Sequence, residues 1–132
     1  MQKQKKGRRF PFTPTHKSLE EILVDRNLAA IGDAYTNLIY SLYLSLKTEK
    51  PTGGKADNHI LAQASKNAGL KELLPSRADR HEQANAAEAL LVYTWLQGLS
   101  TITESVEIMI KQENAIEAFS SLLSSAKKNL AL

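Results

Sequence analysis

The sequence has no cysteine, which excludes disulfides, thiolate metal sites and a cysteine nucleophile. It has only three histidines, His16, His59 and His81, and their wide separation gives no ligand-like spacing for structural zinc. The six glycines and four prolines fall mostly between segments rather than inside them, which argues against a sandwich or barrel. The uncharged runs at 34–46 and 89–103 are too short to span a bilayer, and both contain polar residues. A basic start without a following apolar stretch does not make a signal peptide. A soluble cytoplasmic protein with no membrane partner is the expectation.

At 132 residues and 42% hydrophobic content, the chain suits one domain with its own core. Its charge is unevenly placed. Seventeen bases against 14 acids give a net +3, but Lys3, Lys5, Lys6, Arg8 and Arg9 all fall within the first nine residues. Without those five the balance is 12 against 14, a body of net charge −2. Such a tail suits a phosphate backbone through counterion release, and it serves solubility equally well. Residues 1–15 therefore read as a flexible basic arm, with Phe10 and Phe12 able to dock on a helical domain at 16–132.

Within that domain the apolar periodicity is helical throughout, and no strand hairpin or internal repeat is visible. Ser18 with Glu21, Thr101 with Glu104 and Asn114 with Glu117 form capping-box patterns. Helices are expected near 18–24, 25–47, 55–68, 79–97, 101–112 and 114–130, with one further turn at 70–74. In the second, Leu28, Ile31, Tyr35, Leu38, Leu42 and Leu46 form the stripe expected to face the core. The fold class is an all-α, single-domain bundle of about six helices.

Two acids stand out. Glu88 is the sole charge between Glu82 and Glu104, on a helix apolar nearly all round and therefore buried. A lone carboxylate there costs several kcal/mol unless it is paired or binds a metal. His81, Asn85 and Glu88 share one stripe. An arginine from another helix would account for Glu88 as well as a metal would. Asp33 lies away from the expected core stripe, near Arg26, Ala29, Ala30 and Asn37, and solvent exposure alone would explain it. Gly32 beside it, inside a long helix, costs about 1 kcal/mol relative to alanine, which suggests close approach of another helix. One acid from each of two packed helices is how helical bundles build metal sites.

At these residues the sequence resembles the ribonuclease III endonuclease domain. The family's signature helix ends in a motif that Leu28-Ala29-Ala30-Ile31-Gly32-Asp33-Ala34 matches, and a later family motif is matched by Asn85-Ala86-Ala87-Glu88-Ala89-Leu90-Leu91. Arg26 and Ala29 stand where the signature has glutamates, Asn85 replaces an aspartate, and Ala30 replaces a common aromatic. A similar thinning occurs in Mini-III, the small relative lacking a separate double-stranded-RNA-binding domain, and no such domain is expected here either. The resemblance implies a Mg²⁺-dependent endoribonuclease, with Mn²⁺ able to substitute, that cleaves double-stranded or structured RNA in RNA processing such as rRNA maturation. It also implies a homodimer.

In that reading Asp33 and Glu88 are catalytic and hold metal at a separation of roughly 3–5 Å. Asn85 supplies a carbonyl oxygen or orients a water. Arg26 either touches a phosphate or neutralises Asp33, and Lys3, Lys5, Lys6, Arg8 and Arg9 grip RNA. The alternatives are a catalytically impaired RNA-binding protein and a helical dimerisation module. Gly53-Gly54-Lys55 lacks the pattern of a phosphate loop and reads as a connecting loop.

Overall fold

The computed structural model describes residues 10–130, so the basic residues Lys3, Lys5, Lys6, Arg8 and Arg9 lie outside the described part. Six α-helices follow one another: α1 (Leu19–Leu23), α2 (Arg26–Thr48), α3 (Asn58–Asn67), α4 (Arg80–Leu96), α5 (Ile102–Ile110) and α6 (Ala115–Asn129). A single 3₁₀ turn, Lys71–Leu73, joins α3 to α4, and no strand occurs among the described residues.

The helix starts follow from side-chain caps that satisfy otherwise orphaned backbone N–H groups. Asp25 accepts from the Leu28 N–H at 3.0 Å to open α2. Asp57 accepts from the Ile60 N–H at 2.9 Å, so α3 starts later than residue 55 and leaves Lys55 and Ala56 in an irregular connection. Of the three capping boxes expected from sequence, Thr101 with Glu104 is complete. Asn114 caps α6 through its side chain. Ser18 accepts from the Glu21 N–H, while the Glu21 carboxylate accepts from the Lys17 N–H instead of closing the box. Asp79 with Glu82 forms a further complete box at the start of α4.

Helix α4 is the centre of the molecule. Twelve of its 17 residues are buried, and it packs against α1, α2, α3 and α6. Its run of Ala84, Ala86, Ala87 and Ala89 presents little bulk, so neighbouring backbones come close. This decides which face of α2 turns inward. The buried set is Leu28, Ala29, Gly32, Tyr35, Thr36, Ile39 and Tyr43.

The leucine-rich stripe expected to face the core does not do so beyond Leu28 and Tyr35. Ile31, Leu38, Leu42 and Leu46 are 39%, 46%, 38% and 56% exposed. Backbone proximity is the reason. A Cβ at Gly32 would stand 2.6 Å from the Glu88 carbonyl carbon and closer still to its oxygen, so the small-residue face meets α4 and the bulky face turns to solvent. Phe10 docks 6.3 Å from Trp95 and stacks on Phe12, which anchors the end of the arm.

Candidate functional site

The crossing of α2 and α4 at Gly32 places Asp33 beside Glu88. Each acid comes from its own helix, and the two lie within hydrogen-bonding distance. Both line an open pocket of about 710 Å³, shared with Arg26, Lys55, His81 and Asn85. Asp33 is exposed at the rim, whereas Glu88 is only 6% exposed.

Burial disfavours the charged form of Glu88 and pushes its carboxyl up to about 8. A hydrogen bond with Asp33 and the negative charge of Asp33 act in the same direction, while the Lys55 ammonium opposes them. Burial and the neighbouring Asp33 thus both favour the protonated form of Glu88. Among the described residues no cation lies within 4.0 Å of either carboxylate, the ion pairs being those of His16 with Glu21 and Asp25. The arginine that would have explained Glu88 structurally is absent there, and Arg26 makes no ion pair with Asp33.

The remaining residues expected from sequence take clear places. Asn85, half-buried one turn before Glu88, has its amide nitrogen 3.4 Å from the His81 ring. His81 in turn approaches the Asn58 amide at 3.5 Å. Asp57 reaches the pocket wall, but its side chain is occupied in capping α3. A second cavity of about 450 Å³ adjoins, sharing Arg26, Ala29, His81 and Asn85 with the first. Two residues given no role in the site from sequence complete it. Lys55 supplies a positive charge facing Glu88. Asn37 donates to Asp33 at 3.4 Å and accepts from the Ala56 N–H at 2.9 Å. The only sequence signal for either was the four-residue step from Asp33 to Asn37.

Fold and site together define an all-α domain in which two helices, packed backbone to backbone, offer a carboxyl pair to an open pocket, Glu88 buried in its wall and Asp33 at its rim. The family model described as Ribonuclease III matches residues 26–131, and the chain belongs to the ribonuclease III family. Its single described domain is consistent with a Mini-III-like character. Membership implies an RNA substrate and suggests an RNA-cleaving endoribonuclease. No curated protein matches the chain. No helix among the described residues is long and apolar enough to cross a membrane.

Proposed function

We propose that the protein is a Mg²⁺-dependent endoribonuclease acting on double-stranded or structured RNA, with Asp33 and Glu88 as its catalytic, metal-holding residues. The observation that carries this reading is a buried carboxyl that makes no ion pair among the described residues, lies beside a second carboxyl and opens to a pocket. A structural acid would be paired, whereas this one is held destabilised where solvent and substrate can reach it.

The donor set suits a hard cation. Magnesium takes one or two protein carboxylates and keeps several waters, and Asp33, Glu88 and the Asn85 amide oxygen meet that demand. Among the described residues no group of three or more acids, histidines or cysteines is placed to hold a metal, so the proposed site rests on two carboxylates and an amide oxygen. A bound Mg²⁺ supplies a Lewis acid for the phosphate oxygens and lowers the pKa of its own water. Glu88 would have to be deprotonated to hold such an ion together with Asp33. Asn85 fixes the orientation of a water or ligand beside it. Arg26, exposed on the wall and without an ion pair among the described residues, touches a phosphate of the RNA. Duplex RNA is read by shape and phosphates, so a pocket without base-reading aromatics fits the substrate class. Lys3, Lys5, Lys6, Arg8 and Arg9 add a salt-sensitive grip.

The exposed stripe of Ile31, Leu38, Leu42 and Leu46 supports a homodimer, with a second copy covering that face. The experiment is incubation of duplex RNA with the protein in Mg²⁺ or Mn²⁺. Cleavage by the wild type, abolished in both Asp33→Asn and Glu88→Gln, is the expected result. Binding without cleavage under both metals would overturn the enzymatic reading and leave an RNA-binding protein of this fold.

A further inference from the structure

The segment between α2 and α3 is strapped along α2 by side chains spaced at one helical face. The Ala56 N–H donates to Asn37 Oδ1 at 2.9 Å. Ser41 Oγ accepts from the Gly54 N–H at 3.0 Å and donates to the Gly54 carbonyl at 3.1 Å. Ser45 Oγ accepts from the Thr52 N–H at 2.8 Å. Residues 52, 54 and 56 are thus anchored alternately, as one edge of a strand would be, with α2 side chains in place of a neighbouring strand. Gly54 lies close to the α2 side chains, where a Cβ would press on the end of Leu44 and stand 3.3 Å from the Tyr40 ring.

Lys55 sits between two anchored residues. It is exposed, lines the carboxyl pocket and acts on Glu88 through its charge, yet makes no hydrogen bond or ion pair within the described residues. Its ammonium donors are therefore free for a ligand. The carboxyl pair by itself repels a phosphodiester, and the α2 face bearing Asp33 carries Arg26 and Ala29 rather than further acids. An ammonium carried on this anchored segment, at the wall of the same pocket, supplies positive charge near the pair.

We propose that Lys55 binds a backbone phosphate of the RNA at the reacting position, and that the Asn37–Ser41–Ser45 ladder is what holds it there. This rests on the endoribonuclease reading above and assigns a phosphate ligand within it.

The full-length wild type, Lys55→Met and Ser41→Ala are compared on one short RNA duplex. Affinity is measured against KCl concentration in EDTA, and single-turnover cleavage is measured at saturating protein in Mg²⁺. For Lys55→Met the slope of log affinity against log salt falls by about 1, as for loss of one phosphate contact. Its cleavage slows roughly a hundredfold, the scale of losing one charge-stabilising donor. Ser41→Ala keeps the charge and hence the slope, but cleaves more slowly because the segment that carries Lys55 is no longer pinned to α2. A wild-type slope in Lys55→Met overturns the phosphate contact. Wild-type cleavage by Ser41→Ala overturns the role of the ladder. If the wild type binds RNA but cleaves none, the enzymatic reading falls while the slope still decides the contact at Lys55.

Discussion

Glu88 keeps a carboxyl among alanines and leucines where an amide or a leucine would fold more easily. With its pKa raised to about 8, the folded protein retains a proton that the unfolded chain releases at ordinary carboxyl pH. The resulting stability is complete below pH 4.5 and is lost progressively as pH rises through about 8. Glu88→Gln removes this dependence. In urea titrations without metal, the variant should match the wild type near pH 4.5 and exceed it at pH 9 by on the order of a few kcal/mol. Equal stabilities at pH 9 would show that Glu88 is not strained.

His16 makes the opposite kind of arrangement, with its Nε2 lying 2.8 Å from the Asp25 carboxylate. Partial burial of Asp25 works to raise its carboxyl, but hydrogen bonds from Leu28 N–H and His16 outweigh this and hold it below the ordinary range. The anomaly of Glu88 was legible in the sequence because no other charge lies near it on its helix. Lys55 was not, since nothing local to Gly53-Gly54-Lys55 reveals that α2 pins that segment against the acids.

Among the elements, α2 taught most. Its length and both ends were readable from Asp25, from the leucine periodicity and from Pro51 beyond it. Its orientation was misread, because counting apolar residues weights bulk. The contact with α4 instead rewards the absence of bulk at Ala29 and Gly32. The cost of Gly32 to the isolated helix was the local clue to that contact, and the clash of any Cβ with the Glu88 backbone accounts for it. Gly32→Ala should destabilise the protein by about 1–3 kcal/mol in denaturant titrations, as overpacking does, despite the better helix propensity of alanine. A stabilised variant would mean that the two helices are not in backbone contact. Capping was legible as an N-terminal signal but not in detail, since the Glu21 carboxylate chose Lys17 over Ser18.

At the scale of the molecule, the class of fold followed from periodicity and from the near absence of strand and turn signals. The surface did not, because it depends on how α2 is rotated. That rotation leaves Ile31, Leu38, Leu42 and Leu46 on one outward face of a single helix, an apolar stripe of the sort that monomers seldom expose. Light scattering should give twice the mass of one chain, and Leu38→Glu with Leu42→Glu should give one chain's mass while keeping the helical signal. A monomeric wild type at micromolar concentration would remove the basis for a second copy.

The strap along α2 carries a consequence for how this chain tolerates change in length. Surface connections ordinarily absorb an inserted residue at little cost. Here one added residue before Thr52 would exchange the anchored and free positions and turn Lys55 toward the helix, so a stretch that looks like spacer has a length as fixed as that of a strand.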